Sequence, residues 1–367
     1  MKRVLHIVSV MNYAGIETFL MNCYRNIARD KLQFDFLVTR QMTGKYDEEI
    51  NALGGRIYNL PAIKKVGYFR FKRAADEFFR THEYDVVHCH MNTWSGFFLP
   101  IAEKYGVKTR IAHSHMANQP YSLFEGLFKN HFKKKIIPHA TKLLACSKDA
   151  GKWLFGNDAD FEVINDAIEI EAFAYNKNSG DKKREKYGLR DNFVIGHTGR
   201  FVLQKNHVFL LEVFKEYLKI NENARLLLVG GCIEKRGIKY VNDLVDSYGL
   251  RDKVVIAGEN PDMPEHFSAM DVFVFPSHFE GLGMALIEAQ ANGLTCFVSD
   301  KVPSEAFATP LAVPLSLEKS AKEWAERIEE IRKKKEAPYR DGPYSGMLRE
   351  KGFDIRDTVE KLYEYWL

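Results

Sequence analysis

The chain has 367 residues, of which 46% are hydrophobic and 28% charged, with a net charge of +4. That length exceeds one small module, and that apolar content excludes a disordered chain, whose burial could not offset chain entropy. No apolar run reaches the roughly 18–20 residues a membrane span needs, and no fixed period marks a repeat fold. Basic residues are concentrated early: residues 1–170 hold 24 Lys and Arg against 18 Asp and Glu. Such a mild excess suits an anionic surface or substrate and does not describe a nucleic-acid binder. Five scattered cysteines (Cys23, Cys89, Cys146, Cys232, Cys296) form no paired motif, so reduced thiols in a cytoplasm are expected.

The first residues, Met1-Lys2-Arg3 before an apolar stretch, look superficially like a secretion signal. The stretch is short, contains His6 and Ser9 and lacks a small-residue cleavage site, so it reads as a first buried strand over residues 4–10. Helical spacing follows over 17–28, strand over 34–38, helix over 47–53, strand over 85–90, helix over 96–105 and strand over 110–115. Strand over 142–147, helix over 149–155 and strand over 161–164 complete the first half. Residues 168–181 lapse into polar and small residues and read as a linker. Alternation then restarts, with strands at 193–197, 225–229, 254–256, 271–276 and 295–299, and helices at 208–220, 238–248, 284–292, 318–335 and 357–367. Strands alternating with helices predict an α/β chain of two doubly wound parallel sheets facing a cleft.

In such sheets ligands sit where strands end and helices begin. The strongest junction runs from Asp271 through Pro276 to Glu280-Gly281-Leu282-Gly283-Met284 and on to Glu288. An apolar strand ends, two glycines admit a diphosphate close to backbone N–H groups, and a helix opens directly behind them. Glu280 and Glu288 flank that cradle and suit sugar hydroxyls. A second junction, His197-Thr198-Gly199-Arg200 with Lys205, offers two cations to a negative leaving group. The first strand-to-helix turn holds Gly15 but lacks the spacing of a dinucleotide site. His88 and His90, then His113 and His115, end two strands with both members of each pair on one face. Zinc there would need further ligands at matching positions, and none is evident in the sequence. Ordinary sheet-edge histidines describe His88 and His90, whereas His113 and His115 are expected to contact substrate. Neither a serine-hydrolase elbow nor a phosphate loop of the Gly-Lys-Ser/Thr type is present.

Taken together, these residues resemble the retaining family-4 glycosyltransferases of the GT-B fold, of the bacterial exopolysaccharide and capsule type. The resemblance rests on Ala14-Gly15-Ile16-Glu17, Ala112-His113-Ser114-His115, residues 163–169, Gly199-Arg200 with Lys205, residues 228–231 and Glu280 to Glu288. It implies an acceptor-side Rossmann-like domain over 1–170, a donor domain over 171–351, and a last helix, 352–367, packing back on the first. It implies that Glu288 binds ribose, Glu280 the donor sugar, and Gly281, Leu282, Gly283 and Met284 the sugar and diphosphate. Arg200 and Lys205, with Gly199 beside them, would hold the diphosphate, and Gly15 would line the first-domain loop. His115, with His113 second, would lie near the transferred sugar, and Gly258 and Asn260 would lie near the base. Two departures stand out: Ala14 where the family usually has a glycine, and Asn165-Asp166-Ala167 where it usually has Pro-Asn-Gly.

The activity implied is retaining transfer from a nucleoside diphosphate sugar, a UDP-sugar, to a lipid-linked or oligosaccharide acceptor hydroxyl in cell-surface polysaccharide synthesis. No cofactor or metal and no nucleic acid is implied. A basic amphipathic stretch, residues 121–142, with Phe124, Leu127, Phe128 and Phe132 beside Lys129 and Lys133–Lys135, suggests contact with an anionic leaflet at the inner face of the membrane. The alternatives are a UDP-N-acetylglucosamine 2-epimerase on the same fold and a non-catalytic sugar-nucleotide binder.

Overall fold

The computed structural model of the protein describes residues 1–117, 123–231, 235–259, 262–333, 340 and 342–367, without the side chains of 123–125, 127, 128, 235 and 236. The chain forms two compact units, one of residues 1–167 with 355–367 and the other of residues 168–354. In the first, seven parallel strands run β1 (Lys2–Val8), β2 (Leu32–Val38), β3 (Arg56–Asn59), β4 (Val86–Cys89), β5 (Thr109–Ser114), β6 (Lys142–Ala145) and β7 (Glu162–Val163). Their spatial order is β3-β2-β1-β4-β5-β6-β7. The second unit carries β8 (Phe193–Thr198), β9 (Ala224–Val229), β10 (Val254–Gly258), β11 (Val272–Phe275), β12 (Thr295–Ser299) and β13 (Ala312–Leu315), in the order β10-β9-β8-β11-β12-β13. Both are doubly wound, Rossmann-like sheets, each with its order reversing beside its first strand.

The central strands are buried along their whole length because helices cover both faces. Leu32–Val38, Val86–Cys89, Val272–Phe275 and Thr295–Ser299 are buried at every position. The last helix, Ile355–Trp366, lies within the first unit. Its fully buried Trp366 meets Phe34 edge-on at 4.9 Å between ring centroids, and its Tyr363 hydroxyl accepts from the Ala28 amide.

Two sequence expectations are corrected here. The linker expected over 168–181 is ordered: Ile168 bridges to Asp354, Ile170–Phe173 forms a 3-10 turn, and a helix starts at Lys177 and runs to Tyr187. Asn176 caps that helix through Ser179 N, and Gly180 lies so close to Ser268 that a Cβ would sit 2.4 Å from its carbonyl oxygen. A strongly polar helix is held by a cap and close backbone contact, features that a hydrophobic pattern does not reveal.

The second correction concerns the basic stretch 121–142. Tyr121, Ser122 and the side chains of Phe124, Leu127 and Phe128 lie outside the described residues. Phe132, expected to face lipid, is 3% exposed and packs among Tyr68, Trp94 and Phe97. Its carbonyl comes so near Gly96 that a Cβ there would lie 1.8 Å away. Lys133 is turned to the Trp153 carbonyl, leaving Lys134 exposed at this helix end. The helical spacing therefore reports core packing at Phe132.

Candidate active site

In the second unit the reversal of strand order falls between β8 and β11, so the loops after these two strands part toward opposite faces. The loop after β8 opens with Gly199 (φ +155), turns through Leu203–Lys205 and enters the helix His207–Leu218 from Asn206, which sits in the left-handed region at φ 53. Asparagine tolerates that conformation better than other side-chain-bearing residues. The loop after β11 ends at Gly283 (φ +99), which caps the helix Met284–Ala291.

The two loops are joined by charge and hydrogen bonds. Lys205 Nζ lies 2.6 Å from Glu280 Oε1, with side chains 11% and 7% exposed. Gln204 Nε2 donates to the Phe279 carbonyl at 2.9 Å and to Glu280 Oε2 at 3.2 Å, while the His278 amide donates to the Gln204 carbonyl at 2.9 Å. The Lys205 ammonium also stands over the Phe275 ring, 4.5 Å from its centroid. Its stem lies across Gly199, where a Cβ would come within 2.9 Å of Lys205 Cε. Gly199 is thus needed for the lysine to reach over the strand end, and Gly230 allows the next strand to close in, since a Cβ there would meet the Gly199 carbonyl oxygen at 2.0 Å.

Glu288 sits one and a half turns into the helix, buried on its inner face. Burial pushes its carboxyl up to about 7, with the nearby Lys205 charge pulling the other way. Gly281, Leu282, Gly283 and Met284 are all buried along the approach to this helix. Arg200 is exposed, with no ion pair among the described residues. Gly258 ends β10 at φ +75, and a Cβ there would meet nothing within 4 Å; Asn260 lies outside the described residues. The second unit thus gathers Lys205, Glu280, the glycine loop and Glu288 around one strand-end gap. Sequence reasoning missed Gln204, whose amide fixes Glu280; no local pattern distinguishes it from a surface glutamine.

In the first unit, Gly15 opens the helix Gly15–Asn26 that follows β1. His113 is fully buried and His115 nearly so. His115 has both ring nitrogens engaged: Nδ1 is 3.0 Å from Asp166 Oδ1, and Nε2 is 2.9 Å from His90 Nδ1. Both nitrogens thus have partners within the unit. The further neighbours that the sequence did not reveal for the histidine pairs are present as well. His6, His88 and His90, then His90, His113 and His115, then His115, Cys146 and Asp166 each bring ligand-type atoms within 4.8 Å of one another.

The family model described as Glycosyltransferase Family 4 matches residues 13–171, and that described as Glycosyl transferases group 1 matches residues 179–344. EpsF of Bacillus subtilis strain 168, a protein named as a glycosyltransferase, is 34% identical over 89% of this chain and 87% of its own. The capsular polysaccharide biosynthesis glycosyltransferase CapH of Staphylococcus aureus is 28% identical over 100% of this chain and 99% of its own. Among solved structures, Anabaena Alr3699/HepE, crystallised with UDP and glucose, superposes with a TM-score of 0.82 at 17% identity, covering 99% of each chain. That likeness is one of fold.

The buried pair yields a stability test. Removing one partner of a desolvated ion pair strands the other charge, at a cost of about 3–5 kcal/mol. Glu280→Gln and Lys205→Met should each lower the midpoint of urea unfolding, and the double variant should recover much of either loss. Strictly additive losses in that cycle would mean that the two groups are not coupled.

Proposed function

The chain belongs to the glycosyltransferases of group 1 and family 4, and from that membership we propose that it transfers a sugar from a UDP-sugar to an acceptor hydroxyl in cell-surface polysaccharide synthesis, with retention at the anomeric carbon. The observation that carries this reading is the strand-end gap of the second unit, where Lys205, Glu280, the Gly281–Gly283 loop and Glu288 converge. Glu288, as a carboxylate, accepts the two ribose hydroxyls. Amides at the start of the Met284–Ala291 helix and the cations Lys205 and Arg200 hold the diphosphate. Glu280, which pairs with Lys205 through Oε1, is the carboxylate that accepts from the donor sugar.

In the step itself the bond between the anomeric carbon and the diphosphate oxygen breaks, and the acceptor oxygen bonds that carbon on the same face. The acceptor proton passes to the departing diphosphate. Lys205 and Arg200 stabilise the charge that builds on the leaving group, the kind of preorganised contact worth about 10²–10³ in turnover. Two cations, a helix start and loop amides balance the diphosphate, so a divalent metal is not required in this reading.

The first unit supports a lipid-linked acceptor at an anionic leaflet. Phe69, 84% exposed at the start of the helix Tyr68–Thr81, stands among exposed Lys64, Lys65, Arg70, Lys72 and Arg73, with no acidic residue from 60 to 75. An apolar tip in a basic ring suits lipid phosphates, each cation contributing about 1 kcal/mol near the surface. Co-sedimentation with anionic vesicles should be seen at low salt, fade at high salt and drop for Phe69→Ser. Equal, negligible binding to anionic and neutral vesicles at low salt would leave the acceptor in solution.

Activity is tested with the full chain and a panel of sugar nucleotides, with and without oligosaccharide and lipid-linked acceptors, in the presence of EDTA. A UDP-sugar should be consumed only with an acceptor, giving an α-linked product from an α-linked donor, and EDTA should leave the rate unchanged. Epimerised sugar without acceptor would make the chain an isomerase, and binding without turnover would make it a carrier.

Glu288 gives this reading a pH signature. Its folded-state value, about 7, stands above the ordinary 4.5. Between those values the folded protein holds a proton that the unfolded chain releases, so stability of the empty protein declines as pH rises through that window. Donor binding uses the ionised form, so UDP-sugar affinity should climb as pH passes about 7 and then level off. Glu288→Gln should bind more weakly, by about 1–3 kcal/mol, and without that climb. Calorimetric titration from pH 5.5 to 8.5 reads both, since the diphosphate diester does not titrate there.

A further inference from the structure

Five histidines cross the sheet of the first unit on three neighbouring strands: His6 on β1, His88 on β4 with His90 just beyond it, and His113 on β5 with His115 just beyond it. All five are buried. Strand register explains their meeting, since His6 lies opposite His88 and Cys89 opposite Ala112. They pair into two separate strings. In one, His6 Nδ1 is 3.1 Å from His90 Nε2, His90 Nδ1 is 2.9 Å from His115 Nε2, and His115 Nδ1 is 3.0 and 3.3 Å from the Asp166 oxygens. In the other, Trp366 Nε1 is 3.2 Å from His88 Nδ1, and His88 Nε2 is 3.1 Å from His113 Nδ1.

A neutral imidazole has one donor and one acceptor nitrogen, so each string has a direction set by its end group. Burial depresses the basicity of His6, His88, His90 and His113, which keeps these four neutral. The carboxylate of Asp166 can only accept. His115 therefore donates from Nδ1, and where its Nε2 accepts, as in a neutral ring, His90 donates from Nδ1 and His6 likewise. The indole of Trp366 can only donate, so His88 and His113 carry their hydrogen on Nε2. The two strings hold opposite tautomers but donate in the same sense, from β4 toward β5.

We propose that Asp166 is a positioning residue for the transfer reaction: through this string it locks the His115 ring, and with it the carboxyl end of β5. The His115 amide is fixed as well, donating to Asn92 Oδ1 at 3.0 Å. With ring and amide both held inside, the strand end presents its backbone, and the residue after it, to substrate. Asp166 stands where the resemblance expects asparagine, and the difference matters physically. A carboxamide can turn either its oxygen or its NH₂ toward His115, so it leaves the string free to run either way. The role in turnover rests on the transferase reading; the polarity of the strings does not.

The test uses the full chain labelled with ¹⁵N-histidine, its signals assigned by single His→Gln variants, in long-range ¹H–¹⁵N spectra at pH 7.5. The result expected is Nδ1–H for His6, His90 and His115, and Nε2–H for His88 and His113. In Asp166→Asn, which keeps the side-chain volume, the first three should show mixed tautomers, kcat should fall at least tenfold and donor KM should hold. Trp366→Phe should alter His88 and His113 and leave His90, His115 and kcat as they were. Nε2–H on His90 and His6, or a doubly protonated His115, would overturn the string. So would equimolar Zn²⁺ shifting the His90, His113 and His115 signals without unfolding, which would make the cluster a metal site. Unchanged kcat in Asp166→Asn with mixed tautomers would overturn the positioning role alone. If no donor turns over, the tautomers still decide the string.

Discussion

The right-handed crossover of parallel strands is the constraint on which each unit depends. It sends every strand-to-helix loop to one edge of its sheet, and where the strand order reverses, adjacent loops must leave toward opposite faces. In the second unit that divergence falls between β8 and β11, and it brings Lys205 from one loop to Glu280 on the other. In the first unit the same reversal, between β1 and β4, sets His6 beside His88.

The two units bury polar groups in different ways. The second keeps full charges: Lys205 and Glu280 answer each other, Gln204 takes up the remaining oxygen, and Glu288 stays in reserve close by. A charge is tolerable there because a partner of opposite sign is held within hydrogen-bond reach. The first instead strings neutral rings between an indole and a carboxylate, so each buried nitrogen but the last in each string finds a partner. Charged pairs can be parted and re-formed around an incoming ion, whereas a string of rings resists rearrangement because each member's tautomer depends on its neighbour.

Much of the strand-end arrangement in the second unit could be read from the sequence because it is local. An apolar run to Phe275, the glycines at 281 and 283 and a carboxylate five residues later lie within one short segment, and local chemistry fixes local shape. The fold class followed from alternation alone. The histidine strings were hidden because their members lie far apart in sequence: His6 meets His90 across 84 residues, and Trp366 meets His88 across 278. Only the strand register puts them together. The ordered stretch 168–181 escaped for the opposite reason. Its helix is nearly all polar, and Gly180 rather than an apolar stripe makes its closest contact. Phe132 shows that helical spacing beside lysines does not say which way a ring points.

The helix Ile355–Trp366 belongs to the first unit although residues 168–354 form the second. The second unit is thus an insertion between two pieces of the first. During synthesis all seven strands of the first sheet emerge early, but the indole that caps the His88–His113 string is made only after the entire second unit. Until then His88 Nδ1 lacks its indole donor and Phe34 its Trp366 neighbour. The vectorial order of translation therefore makes the later-made unit the first that can be completed, and leaves the earlier sheet as a docking platform awaiting its final helix. A nascent chain stalled within residues 168–354 would hold an unsealed first core, the form on which holding chaperones and proteases act.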